Sequence, residues 1–246
     1  MIVIGGMCMK IGLVLEGGAM RGLFTCGIMD VLLENNIIEL VAEDMIKSIS
    51  NSYPIYRFVN HKNIGIIKTT VGAPITSVLL AEIAHIFSCN NIVLFGTCGC
   101  LDKSIPANSL IVTTSAYRDE GVSYHYMEPS DYIEIPNYNK VSSILKDIGV
   151  NYILGKTWTT DAFYRETREE MALRKKEGCI AVEMEVAACQ AVANYHNVNL
   201  YNFLYTADNL DNSKWDKGQR DSALANDKRL RILEIALEIA KRVIEK

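Results

Sequence analysis

Glu183 and Glu185 stand on either side of Met184, where an apolar run, Cys179 to Val182, gives way to the small residues Val186, Ala187 and Ala188. A carboxylate at the C-terminal end of a buried strand points into the crevice where open α/β sheets bind ligands. Two carboxylates flanking a soft, polarizable methionine suit a sugar. The carboxylates accept hydrogen bonds from vicinal hydroxyls, and the thioether packs on the ring face. The same triplet also reads as a plain strand end followed by a helix whose first turn is acidic, as the helix dipole favours.

The elements that would position these groups alternate along the chain. Residues 11–15 (IGLVL) read as a buried strand, followed by a Gly-rich turn at 17–22 and a helix to about Glu34 with Leu23, Ile28, Val31 and Leu32 on one side. Residues 54–59 and 63–70 predict a hairpin around Asn60 to Asn63, and Pro74 opens an amphipathic helix over 75–88. Strands are predicted near 91–96, 109–114, 151–157, 179–183 and 199–206, and helices near 138–148, 166–176 and 184–195. Leu230, Leu233, Leu237, Ala240 and Ile244 recur at helical spacing, so the last 25 residues predict a long amphipathic helix. This alternation argues for an α/β domain with helices on both faces of a central sheet.

Composition bounds the function. A chain of 246 residues buries enough surface to need no staples. Its net charge of −4 gives no electrostatic case for a nucleic-acid partner. The seven cysteines are odd in number and show neither CxxC nor metal-ligand spacing, so they read as small buried hydrophobes of a reducing cytosol, with no metal site. MIVIGGMCMK is apolar but lacks the basic n-region and the full h-region of a signal peptide. No run reaches the ~18 apolar residues of a membrane span. The expectation is a cytoplasmic protein without membrane or nucleic-acid partners.

Five segments, taken in order, carry a resemblance: TTVGAPITS (69–77), IVLFGTCG (92–99), TTDAFY (159–164), VEMEVA (182–187) and LYTADN (204–209). In order and spacing they resemble the nucleoside phosphorylase and uridine phosphorylase superfamily over roughly residues 50–246. The resemblance implies a single-domain three-layer α/β/α fold with a mixed central sheet over 1–246. It also implies N-glycosidic cleavage of nucleosides, inorganic phosphate as co-substrate with no other cofactor, and a homo-oligomer, dimer or larger.

N-glycosidic cleavage passes through an oxocarbenium-like sugar cation. It needs a grip on the ribose hydroxyls, a proton for the departing base and a nucleophile at the anomeric carbon. The resemblance implies that Glu185 holds the hydroxyls with Met184 beneath the ring, while Glu183 joins the same site or supports it from behind. Asp208, which ends the strand Asn202 to Ala207, is the candidate proton donor. A purine leaves readily once its N7 is protonated, and a carboxyl of raised pKa does that. Asp-Asn is also a common turn pair. Phe163 is expected to stack on the base, with Cys98 and Gly99 beside it; core packing is the competing role for Phe163 and Tyr164. Uridine phosphorylases carry a Gln and an Arg after this aromatic, whereas this chain has Thr167-Arg168-Glu169, which favours purines over pyrimidines.

A phosphate pocket needs backbone N–H groups, a hydroxyl and an Arg. Thr97 stands where the family uses a Ser or Thr hydroxyl, but Leu94 occupies the usual Arg position, and no partner-subunit Arg is evident near Asn51. Arg118, in YRDEGVSYHY, is one possible substitute. The first 37 residues offer another. IGLVLEGGAMRGLFTCGIMDVLLENNI resembles the opening of patatin-like acyl hydrolases, yet the chain has no GxSxG elbow to supply their nucleophile. Gly17 and Arg21 also have the spacing of a phosphorylase phosphate loop. Three readings stay open: phosphorolysis, hydrolysis with water in place of phosphate, and an inert ligand-binding homologue.

Overall fold

The computed structural model describes residues 11–15, 29–42, 52–212 and 223–244. In chain order the elements are β1 (Ile11–Leu15), β2 (Ile38–Ala42), β3 (Ile55–Phe58), β4 (His61–Lys68), α1 (Ala73–Ile86), β5 (Asn91–Cys100), β6 (Leu110–Asp119) and β7 (Tyr132–Glu134). They continue with α2 (Tyr138–Asp147), β8 (Ile153–Thr160), α3 (Arg168–Lys176), β9 (Cys179–Glu183), α4 (Val186–Tyr195), β10 (Asn199–Asn209) and α5 (Ala223–Ile244). The expected hairpin is β3–β4, and each predicted strand and helix in the described residues is present. β2 and β7 were not expected.

The strands form one mixed sheet in the order β10-β6-β8-β9-β5-β1-β4-β3-β2, with β7 on β6 and a further pairing of β10 to β5. That extra pairing closes β5, β10, β6, β8 and β9 into a ring, from which β1, β4, β3 and β2 extend as an open wing. β5 makes both possible. Its residues 92–95 pair in parallel with β1, its end, Gly99 and Cys100, pairs antiparallel with β9, and β10 runs beside it throughout.

The apolar run Ile92 to Phe95 is buried on both faces, as a central strand between two helix layers must be. Side chains alternate across a strand. Ile92 and Leu94 therefore join the core beneath α1 and α4, with Leu79, Leu80, Ile83, Val186 and Val192. Val93 and Phe95 join the opposite core with Val141 and Leu145 of α2 and Leu233, Ala236 and Ile239 of α5. Phe95 stacks on Phe203 at 5.4 Å there. The result is the expected three-layer α/β/α arrangement. Residues 29–34 are helical, but Met29 and Leu32 face the core while Val31 is exposed. That corrects the expected face: 29 and 32 are three residues apart and share a side, whereas 31 lies off it.

Candidate active site

The end of β9 shows how two carboxylates survive burial. Glu183 is 5% exposed and accepts four hydrogen bonds. Its Oε1 takes the Thr159 hydroxyl at 2.5 Å and the Thr157 hydroxyl at 3.3 Å. Its Oε2 takes the backbone N–H of Glu185 at 2.7 Å and of Val186 at 2.8 Å. These N–H groups belong to the start of α4, which carries a partial positive charge. Burial still dominates and raises the carboxyl to about 6 against the four bonds that lower it. Both Glu183 oxygens are thus spent on shaping the β9–α4 turn.

Glu185 is buried beside it. Its Oε1 accepts the Gly72 N–H at 2.6 Å and its Oε2 the Met184 N–H at 3.3 Å. Gly72 precedes α1 with φ +113°, a conformation that excludes ordinary side chains. Thr69 and Thr76 brace the same turn through their hydroxyls, 2.9 Å apart. Two segments 113 residues apart, VGAP and VEMEV, thus meet at one carboxylate. Met184, between the two buried glutamates, is only partly buried.

The strand register brings in Asp208. Thr159 is level with Glu183, Trp158 with Val182, Val182 with Gly99, and Gly99 with Asp208. One rung across four strands therefore joins Trp158, directly before TTDAFY, to VEMEVA, FGTCG and TADN. A bulge separates Thr206, opposite Cys98, from Asp208, opposite Gly99. A bulge adds one residue, here Ala207, and re-aims the side chain that follows. A cavity of about 210 Å³ lies against Asp208, lined also by Lys103, Pro106, Thr206 and Asn212. Glu183, Met184 and Glu185 do not line it.

The structure places the other predicted residues unevenly. Thr97 is half-buried on β5. Cys98 turns its side chain into the core, so only its backbone can face a ligand. At Gly99 a Cβ would meet Leu210 Cδ1 at 2.8 Å and Val182 Cγ1 at 2.9 Å, so this position is glycine for close packing. Phe163, 38% exposed, begins a short 3-10 turn after β8 and contacts Tyr164 at 4.0 Å between centroids. Phe163 is therefore not a core residue. Gly17 and Arg21 lie outside the described residues. Arg118 is occupied elsewhere. Its Nε donates to the Ser123 hydroxyl, its Nη1 to the Glu128 carbonyl and the Ser130 hydroxyl, and the Tyr124 ring covers it at 4.2 Å. These bonds fasten the loop after β6, while the Nη2 of Arg118 is buried without a hydrogen-bond partner. Leu94 is buried in the core.

Sequence reasoning missed Thr157 and Thr159. Thr159 links the site, donating to Glu183 and accepting the Ala187 N–H at 3.1 Å. The doubled threonine in TTDAFY was the available signal. Among the described residues no cluster of His, Cys, Asp or Glu could hold a metal ion, and no helix is long and apolar enough to cross a membrane.

The family profile of the phosphorylase superfamily matches residues 36–245. The chain belongs to that superfamily. It is 28% identical over 223 residues to a purine nucleoside phosphorylase, DeoD-type 1, of Shewanella oneidensis, covering 87% of this chain and 91% of that one. A DeoD-type purine nucleoside phosphorylase of a Thermoanaerobacter species is 26% identical over 218 residues, covering 86% and 91%. Among solved structures, this phosphorylase-superfamily chain resembles the purine nucleoside phosphorylase of Toxoplasma gondii in complex with immucillin-H, with TM-score 0.77, 17% identity and coverage of 96% and 92%. A futalosine hydrolase mutant of Helicobacter pylori gives TM-score 0.69, 18% identity and coverage of 95% and 99%. These structural likenesses establish the fold. The family match begins at residue 36, after most of the patatin-like stretch, yet β1 from within that stretch pairs between β4 and β5 as an inner strand. The first strand is thus integral to the phosphorylase sheet.

Proposed function

We propose that this protein cleaves the N-glycosidic bond of a nucleoside, with purines preferred, using inorganic phosphate to give free base and ribose 1-phosphate. The observation that carries the reading is the four-strand rung, which sets Asp208 on one edge of β5 and the Glu183–Glu185 turn on the other. In this reading Glu185 accepts the ribose hydroxyls and Met184 packs beneath the ring, while Glu183 holds the turn that presents both. Asp208 protonates the base as it leaves, Phe163 stacks on it, and the backbone at Cys98 and Gly99 borders it. Thr97, with Gly17 and Arg21, receives phosphate. The curated relatives named above support phosphorolysis. No cofactor beyond phosphate is needed, and a homo-oligomer is expected, which light scattering would check.

Leu94 favours a second reading, hydrolysis. It fills the position of the usual phosphate-binding Arg and is packed in the core, where it offers no charge to an anion. Incubation with inosine, adenosine and uridine, with and without phosphate, separates the possibilities. Phosphate-dependent base release is the expected result. Release at the same rate without phosphate selects hydrolysis, and no release from any nucleoside refutes both.

A further inference from the structure

Asp208 sits in a short stretch of chain held between two anchors. β10 pairs with β6 only at Leu204 and Tyr205. Beyond them the loop 106–109 takes the place of β6 along that edge. The Thr206 N–H donates to the Ser109 carbonyl at 3.0 Å, and the Asn108 N–H donates to the Thr206 carbonyl at 2.9 Å. The Thr206 hydroxyl adds two bonds of its own. It accepts the Ser109 N–H at 3.0 Å and donates to the Pro106 carbonyl at 3.1 Å. The Ser109 hydroxyl donates to the same carbonyl at 2.8 Å. Thr206 is 1% exposed, so these bonds stand where a surface hydroxyl would have water. The second anchor follows the bulge. The Leu210 N–H donates to the Cys100 carbonyl at 2.9 Å, and the Asn209 amide donates to the Asp102 carbonyl at 3.2 Å. Ala207, the inserted residue, and Asp208 lie between the two anchors. Pro106, Ala107, Thr206 and Asp208 all line one cavity.

Resting on the nucleoside-cleaving reading, we propose that Thr206 is a positioning residue for the proton donor: its hydroxyl locks the loop 106–109 against the start of the bulge and so fixes the direction in which Asp208 presents its carboxyl to the base. A bulge interrupts the ladder and leaves its extra residue unpaired, so the direction of the next side chain depends on how firmly the flanking residues are held. β5 holds one edge of this stretch by strand pairing, whereas strand pairing on the other edge ends at Tyr205, and Thr206 supplies the hold there. The hydroxyl is what distinguishes threonine from valine, a hydrocarbon of nearly the same shape. Valine would keep the packing and both backbone bonds. It would lose both side-chain bonds and leave the Ser109 N–H with its 3.3 Å bond to the Pro106 carbonyl. Proton transfer is sensitive to such loosening, because the acid and the base nitrogen must meet at hydrogen-bond distance. The Glu185 turn, on the other edge of β5, is built by separate bonds and is unaffected.

Thr206→Val, Thr206→Ser, Asp208→Asn and the double variant of Thr206→Val with Asp208→Asn test this, each on inosine and on 7-methylguanosine with phosphate present. The methylated base already carries the positive charge that protonation gives to the base of inosine, so it leaves without an acid. Thr206→Val should lower kcat on inosine by about 10–10²-fold, the range for a misplaced group. KM should change little, and 7-methylguanosine should be cleaved near the wild-type rate. Thr206→Ser keeps the hydroxyl and should retain the wild-type kcat on inosine. In the Asp208→Asn background Thr206→Val should cost nothing further, because the two residues act as one unit. Equal losses on both nucleosides, a Thr206→Ser variant as slow as Thr206→Val, or losses that add in the double variant overturn the proposal. If circular dichroism shows Thr206→Val unfolded, Thr206→Ala carries the same comparison. If wild type cleaves neither nucleoside, the nucleoside-cleaving reading falls and the positioning role falls with it. If wild type cleaves both and Thr206→Val matches it on inosine, the positioning role alone falls.

Discussion

Glu183→Gln isolates the cost of keeping a charge inside this fold. The carboxyl ionises near 4.5 in an unfolded chain and at about 6 in the folded protein, because burial outweighs four hydrogen bonds. Between those values the folded state keeps a proton that the unfolded state has lost, so stability falls as pH rises. The contribution is fully present below about 4.5 and gone above about 6. The displacement is worth about 2 kcal/mol. Glutamine does not titrate, so wild type should lose about 2 kcal/mol relative to Glu183→Gln between pH 4 and pH 7. A pH-independent offset lies beneath this. The amide oxygen must face the N–H groups of Glu185 and Val186, which leaves the amide nitrogen towards Thr159. That hydroxyl already accepts the Ala187 N–H and now loses the acceptor for its own hydrogen, a cost of about 1–3 kcal/mol. Urea unfolding followed by circular dichroism, for both proteins across this pH range, measures the difference. A constant gap between the two curves would refute the reasoning, and a gap moving the other way would mean that the hydrogen bonds, not burial, dominate.

Two further substitutions probe the same turn. Glu185→Gln should stay folded, since an amide oxygen still accepts the Gly72 N–H, but kcat/KM should fall at least about tenfold because an amide is the weaker acceptor for hydroxyls; near-normal turnover would exclude the sugar-binding role. Gly99→Ala drives a methyl against Leu210 and Val182 and should cost about 1–3 kcal/mol, seen in a thermal scan as a fall of about 2–4 °C per kcal/mol; an unchanged melting temperature would mean that both side chains yield freely.

Much of the architecture was legible because it rests on local pattern. The run Ile92 to Phe95 could only be a strand covered on both faces, and the spacing of Leu233, Leu237 and Ala240 could only be a helix lying on the sheet. β2 and β7 escaped because a short strand, five residues in one case and three in the other, becomes a strand only through its neighbour. Closure of the ring through β10 and β5 was likewise hidden, since pairing between residues more than 100 apart leaves no periodic trace.

The site divides in the same way. Residue types and order by themselves determined that Glu183, Met184, Glu185 and Asp208 belong to strand ends, because apolar runs stop there and the carboxylates follow. Only the tertiary structure decided what each carboxylate does. Glu183 and Glu185 are chemically identical and two residues apart. One meets Thr157, Thr159 and a helix N-terminus, and the other meets Gly72 from a distant turn. A carboxylate's role is set by its donors, its burial and the charges beside it, and in this fold those come from strands that only folding brings level.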